Sequence, residues 1–279
     1  MVFRAFLYHC AVLGMALSPL AALVYADDIL LMAQPAYMPK QNSAQTWWRP
    51  KPGLSWQWKL SGRVDSSFDV AMYDIDLFET PQATIQALKN RGKIVICYIS
   101  AGSYEKYRSD AGRFPASVLG KTLDGWPDER WLDIRQIETL APILQARMDL
   151  AVAKGCDGIE PDNIDGYANN TGFPLTSADQ LRFNRWLAIQ AHQRNLSIGL
   201  KNDLEQVPDL VNAFDWAINE QCFAYGECDL LKPFIDAGKA VFGVEYDLAE
   251  SQFCPQANAL NYDWLKKRLV LDSWRNACR

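Results

Sequence analysis

Acidic side chains close a series of short, apolar, β-prone runs. YDIDLF carries Asp74 and Asp76, WLDIR carries Asp133, GIEPDNIDGY carries Glu160, Asp162 and Asp165, INEQC carries Glu220, and VEYD carries Glu245 and Asp247. Side chains alternate along a strand, so Glu160 and Asp162 share one face a layer apart, as do Asp74 and Asp76. Lys201, in LKND, adds a cation to this set. Buried carboxylates cost free energy unless paired or solvated, so a ring of them around one pocket is a poor stabilising device and a good chemical one. Two facing carboxylates suit glycosidic cleavage: a protonated one donates to the leaving oxygen while an ionised one attacks the anomeric carbon or activates water. Their mutual repulsion helps to keep one of them protonated near neutrality. Asp162 and Glu220 are the expected pair. Single acids have plainer readings, Asp165 as a loop cap and Asp133 as the partner of Arg130 or Arg135.

Other chemistries are starved of residues. The first 26 positions read as an export signal: Arg4, an apolar run from Cys10 to Val24, and small-residue spacing ending at Ala26. An uncleaved N-terminal anchor is the alternative, and the apolar run is short for one. Cleavage leaves 253 residues with 27 basic against 33 acidic side chains, a net charge of about −6. That balance argues against nucleic acid and anionic membranes and favours a neutral or cationic partner. No later stretch reaches the ~18 consecutive apolar residues that a membrane span needs. Secretion or a periplasmic location follows. His192 is then the single histidine, in the helical stretch RFNRWLAIQAHQRN, and reads as a surface or packing residue, which leaves no Ser-His-Asp triad or histidine-bound metal. Six cysteines remain, without zinc-ribbon spacing. Cys222 with Cys228 is the expected disulfide, Cys254 with Cys278 a weaker expectation, and Cys97 and Cys156 read as buried thiols.

The elements that must position the acids alternate. Strands are expected at 69–74, 94–100, 131–134, 158–162, 197–201, 216–220, 241–245 and 268–271. Between them lie helix signals: Thr80 and Pro81 as N-cap and N1 of a helix stopping at Gly92, an apolar stripe from Leu140 to Ala151 closing at Gly155, and Thr176 with Asp179 as a capping box. Eight strands separated by crossovers in about 250 residues fit an α/β fold, a single (β/α)8 TIM barrel over 54–279, behind an irregular N-terminal lead-in over 27–53. An open doubly wound sheet would show a glycine-rich turn after its first strand, and none follows Asp74 to Phe78. Trp56, Trp58, Tyr73, Tyr98, Trp126, Tyr167 and Tyr246 flank the strand ends, and about half of them are expected to meet sugar faces.

At these residues the chain resembles the endo-α-1,4-polygalactosaminidase family of glycoside hydrolases. The resemblance runs in order through WQWKLSG, YDIDLF, VICYISAGSYEKYR, WPDERWLDIR, GCDGIEPDNIDGY, GLKND, NEQCFAYGEC and the VEY segment. It implies a (β/α)8 barrel, no cofactor, and endo-hydrolysis of α-1,4-linked galactosamine polymers, with Asp162 of EPDN and Glu220 of NEQC as the catalytic pair; we expect Asp162 as nucleophile, Glu220 as acid/base and no metal. The expected substrate-binding set is Asp74, Asp76, Tyr98, Asp133, Asn163, Lys201, Asn202, Glu245 and Tyr246, acting on a cationic or neutral, galactosamine-rich polysaccharide; a monomer is expected. Carboxylates would pair with the ammonium groups of deacetylated units. Two other functions compete: a metal-dependent barrel hydrolase holding Mg2+ or Ca2+ on Glu160, Asp162 and Asp165, and a non-catalytic carbohydrate-binding barrel.

Overall fold

The computed structural model describes residues 47–279. The expected export signal and most of the lead-in lie outside the described residues. From Trp47 on, the chain forms β1 (Trp56–Lys59), β2 (Met72–Asp76), α1 (Gln82–Asn90), β3 (Ile94–Ser100), β4 (Ser103–Glu105), β5 (Leu119–Leu123), β6 (Trp126–Leu132), α2 (Ile137–Lys154), β7 (Gly158–Asp162) and α3 (Ser177–Gln193). There follow β8 (Ser197–Lys201), α4 (Val207–Leu210), β9 (Trp216–Glu220), α5 (Cys222–Tyr225), α6 (Lys232–Asp236), β10 (Val241–Glu245), α7 (Glu250–Ala259), β11 (Asp263–Lys266) and β12 (Asn276–Ala277).

Eight parallel strands stand in the order β1-β2-β3-β7-β8-β9-β10-β11, with β12 antiparallel at the end. β1 and β11 are joined by side chains rather than a ladder: Trp56 Nε1 donates to Asp263 O at 2.9 Å, and Gly53 N donates to the Asp263 carboxylate at 2.9 and 3.1 Å. Leu60 N and Ser61 N reach Leu271 O at 3.0 and 3.3 Å. The barrel interior is a compact cluster of Trp56, Trp58, Met72, Ile96, Trp216, Ile218, Phe242 and Val244. A larger apolar layer, including Tyr73, Cys97, Ile159, Ile198 and Leu200, lies between strands and helices. Alternation therefore turns Asp74, Asp76, Tyr98, Glu160, Asp162, Lys201 and Glu220 inward.

Five expected strands match closely: β3, β7, β8, β9 and β10 have the bounds read from sequence. β2 lies two to three residues later than expected. Two expected barrel strands are corrected. Residues 131–134 are the end of β6 and the residues after it, and β6 belongs to a separate three-stranded antiparallel sheet, β4-β6-β5, inserted after β3. Residues 268–271 form a turn with Leu269 and Val270 exposed and Leu271 at φ 47°. Their places are taken by β1 and β11, whose WQWK and DWLK are buried nearly throughout and give no alternating signal. Gly155 ends α2 in the left-handed region, and Thr176 and Asp179 form the reciprocal capping box of α3. The start of α1 differs by one position: Pro81 is the N-cap and Gln82 the first helical residue.

Three disulfides cross-link the chain: Cys222–Cys228, Cys254–Cys278 and Cys97–Cys156. The last corrects the reading of Cys97 and Cys156 as buried thiols. Cys97 faces outward from β3 and Cys156 precedes its ladder partner β7, so parallel pairing brings the two Cα atoms to 6.0 Å. No helix among the described residues is long and apolar enough to cross a membrane. His192 packs outside the barrel, stacked on Trp47 with centroids 4.1 Å apart and bonded to Asp215 at 2.9 Å.

Candidate active site

The carboxyl ends of β7, β8 and β9 stop abruptly. Asp162, Lys201 and Glu220 are the last residues of these strands, and each is followed by a left-handed residue: Asn163 at φ 60°, Asn202 at φ 51° and Gln221 at φ 66°. Asparagine tolerates this backbone because its short amide bonds locally; Gln221 adopts it at a cost of roughly 1–3 kcal/mol. The sharp turns leave the terminal side chains standing at the floor of a cleft of about 1130 Å3. The β4-β6-β5 sheet forms one wall of that cleft, and residues 269–271 line it elsewhere. Gly102 is required here, since a Cβ on it would sit 1.7 Å from Asn163 O.

At the floor, the Lys201 ammonium lies 2.8 Å from Asp162 Oδ1, 2.9 Å from Glu220 Oε2 and 3.8 Å from Glu160 Oε1. Two contacts to one nitrogen place those Asp162 and Glu220 oxygens no more than about 5.7 Å apart. Asp162 also accepts from Tyr98 Oη at 3.0 Å and Asn163 N at 2.8 Å. Burial pushes the Asp162 carboxyl up, but the Lys201 charge and these hydrogen bonds more than offset it and hold the group below its ordinary range. Glu220 accepts from the Tyr246 hydroxyl and from Asn202 Nδ2 at 3.3 Å, while Asn202 Oδ1 receives Glu220 N at 3.0 Å. Burial and the neighbouring carboxylates push Tyr98 and Tyr246 up, so both hydroxyls stay protonated and act as donors.

One layer below, Asp74 and Glu160 form a buried acid pair, each 0 % exposed. Trp58 Nε1 donates to Glu160 Oε2 at 2.8 Å. Neither Asp74 oxygen meets any donor if both groups are ionised; the hydrogen bond between the two carboxyls therefore needs a shared proton. Burial pushes Asp74 up to about 7, and burial together with the Asp74 charge pushes Glu160 well up.

Of the expected site residues, Asp76, Tyr98, Asp162, Asn163, Lys201, Asn202 and Glu220 line the cleft, and Tyr246 reaches it through Glu220. Asp76 is already matched, by Arg108 at 3.0 and 2.6 Å. Three others are not brought to the wall. Asp74 is sealed beneath the floor. Asp133 binds Arg135 at 2.7 and 2.9 Å and Gln136 at 3.0 Å, ahead of α2. Glu245 faces outward from β10, where inward positions are Phe242 and Val244, and accepts from Phe223 N at 2.9 Å. Among the aromatics, Trp58, Tyr98 and Trp126 line the cleft, Trp56 and Tyr73 are core, and Tyr167 bonds Glu205. Glu105, Arg108 and Glu129, which also line the cleft, were not singled out from sequence. SYEKYR and WPDER hold them inside the matched stretches, but their convergence depends on the antiparallel pairing Glu105↔Glu129. As for a metal, Lys201 supplies the cation between Glu160, Asp162 and Glu220, and among the described residues no group of three or more His, Cys, Asp or Glu side chains is disposed to hold one.

Eight parallel strands and a carboxylate pair on the floor of a cleft at their carboxyl ends define a barrel of the glycoside hydrolase class. The family model for glycoside hydrolase family GH114 matches residues 38–279, and the chain belongs to that family. The crystal structure of Aspergillus fumigatus Ega3 in complex with galactosamine is 41% identical, with a TM-score of 0.80, over 85% of this chain and 100% of that one. The glycoside hydrolase domain of PelA from Pseudomonas aeruginosa shares the fold at 16% identity and a TM-score of 0.61, over 80% of this chain and 98% of that one. An uncharacterized protein of Deinococcus radiodurans is 26% identical over 240 residues, 77% of this chain and 76% of its own length.

Proposed function

We propose that this glycosidase is secreted or periplasmic, acts as a monomer, and cleaves α-1,4-linked galactosamine-containing polysaccharide internally, with retention. Asp162 is the nucleophile: held ionised by Lys201, it attacks the anomeric carbon while protonated Glu220 donates its proton to the departing glycosidic oxygen. Glu220, then anionic, takes a proton from the water that attacks the glycosyl-Asp162 ester and releases the sugar. The observation that carries this reading is the Lys201 bridge. It holds the bridged oxygens no more than about 5.7 Å apart, the kind of close spacing that suits a retaining pair better than the wider one that admits a water between two carboxyls.

The substrate class is supported by charge. Seven carboxyl groups line the cleft against three basic side chains, Arg108, Lys121 and Lys201, which favours a polymer bearing ammonium groups. The resemblance to Ega3, crystallised with galactosamine, points the same way. The three disulfides fit an oxidising compartment. The test is incubation with partially deacetylated poly-α-1,4-galactosamine, with mass spectrometry of the fragments and NMR of the first-formed anomer. Internal fragments of retained configuration are expected. Asp162→Asn and Glu220→Gln should each lower kcat by orders of magnitude and leave polymer binding largely intact; near-native cleavage by either variant defeats the assignment.

A further inference from the structure

Most acids on the cleft wall are already matched, Asp76 and Glu105 by Arg108, and Asp162 and Glu220 by Lys201. Glu129 is not. It projects from β6, only 7% exposed, and its oxygens accept from hydroxyls, Ser103 Oγ at 2.9 Å and Tyr107 Oη at 3.2 Å. No ion pair joins it to a basic side chain among the described residues. Beside it, Glu105 is 1% exposed and its Oε2 accepts no hydrogen bond, with Arg147 standing 3.7 Å off. Burial first, and then the charge of Glu105, pushes Glu129 up to about 7. The wall therefore holds a buried carboxyl that lacks a cation.

That wall is tied to Asp162. Ser103 Oγ lies 2.6 Å from Ser100 Oγ and accepts from Asn163 Nδ2 at 3.1 Å, while Asn163 N donates to Asp162 Oδ1. In a sugar attacked at C1 by Asp162, the C2 substituent is one carbon away, so the group that reads it must stand beside Asp162. We propose that Glu129, backed by Glu105 and Tyr107, is an ammonium-binding subsite that reads the C2 amine of the galactosamine unit whose anomeric carbon meets Asp162. The assignment rests on the reaction proposed above.

An ammonium supplies the cation that Glu129 lacks and draws it to the carboxylate. An N-acetyl group supplies no charge and leaves a buried acid unmatched, which is how a polar site rejects a near-isostere. The charged and titratable groups facing Glu129 are Glu105 and Tyr107 from the β4 segment, and Asp162 and Tyr98 from the barrel, while Arg108 is paired with Asp76 and Glu105. Binding of the amine strengthens as pH rises through about 7, until the ammonium itself deprotonates.

The experiment compares fully deacetylated with fully N-acetylated α-1,4-galactosaminide oligomers on the wild type and on Glu129→Gln. Loss of one charged hydrogen bond should lower kcat/KM on the deacetylated oligomer by ~10–100-fold. The N-acetylated oligomer should be cleaved better than by the wild type, because the unmatched acid that disfavours it is gone, and the acid limb near 7 should leave the KM profile. Equal losses on both oligomers would mark Glu129 as merely structural and overturn the subsite. Should Glu129→Gln fail to fold, calorimetry of galactosamine binding to the wild type in buffers of different ionisation enthalpy replaces it: release of a fraction of a proton near pH 6.5 is expected, and no release overturns the subsite. A wild type that cleaves neither oligomer sinks the proposed reaction, whereas proton release on galactosamine binding would still uphold the subsite.

Discussion

Replacing Lys201 with methionine removes the charge that holds Asp162 ionised and also faces Glu160 and Glu220, while keeping most of the side-chain volume. At 2.8 Å, and an effective dielectric near 20, its contact with ionised Asp162 is worth about 6 kcal/mol of attraction. Most of that offsets the desolvation of an ammonium only 3% exposed, and breaking a buried pair by removing one partner costs about 3–5 kcal/mol net. For a chain of this size, at about 2–4 °C per kcal/mol, the melting temperature should fall by roughly 6–20 °C. Asp162 is depressed in the folded protein, so its stabilising share is present above its unfolded pKa near 3.8 and lost as pH falls through the folded value. Lys201 is raised, so its share is present below its unfolded pKa near 10.5 and lost as pH climbs past the folded value. The destabilisation should therefore be level between about pH 5 and about 10 and shrink outside that window. In activity, burial is no longer offset at Asp162, and the acid limb of kcat/KM moves to higher pH. Calorimetry across pH and a pH-rate profile test both parts; a native-like melt with an unmoved acid limb would refute the bridging role.

Asp74→Asn lets an amide donate permanently to Glu160 and removes a carboxyl that burial has pushed up to about 7; because the folded wild type binds the extra proton, its stability falls with rising pH between about 4 and 7. The variant should lose the Asp74 part of that slope, worth about 4 kcal/mol by pH 7, and parallel pH dependences of the two melts would count against the shared proton. Asp76→Asn should act on stability, since Asp76 holds the buried Arg108; an unchanged melt with a blunted salt dependence of polymer binding would instead make it a substrate ligand. Trp126→Ala, on a side chain 53% exposed at the cleft wall, should raise KM for long polymers with little change in melting, and an unchanged KM would remove it from the binding surface. Cys222→Ser should lower kcat more than it lowers the melting temperature if the six-residue disulfide loop holds the Glu220–Gln221 turn, and a pure stability loss would confine the bridge to the fold.

Sequence shows a strand most clearly where its two faces differ in the right way, and this barrel shows both the success and its limit. β7 and β8 carry apolar outward residues, β9 carries Ala217 there, and all three end on a charged inward residue, so Asp162, Lys201 and Glu220 are legible as strand ends from sequence alone. WQWK and DWLK are buried on both faces, and their polar members, outward Gln57 and inward Asp263, serve the seam between first and last strands through Lys267 and Gly53; nothing local distinguishes them from loop. RLVL fails in the opposite sense: it is apolar enough for a strand, yet its leucine and valine stand exposed beside the cleft, where apolar surface is useful to a ligand rather than to the core. Glu245 fell on the wrong side because one residue of register exchanges inside for outside, and VEY can be read either way until Phe242 and Val244 are seen in the interior. The buried pair of Asp74 and Glu160 was legible as two inward acids but not as one proton between them, since that depends on which layer seals against solvent. The β4-β6-β5 wall was the least legible part, because pairing Glu105 opposite Glu129 across the residues between them is a long-range contact that neither segment encodes alone. That wall is also where this protein can differ most from another barrel with the same floor, so it is the place to look for what selects its sugar.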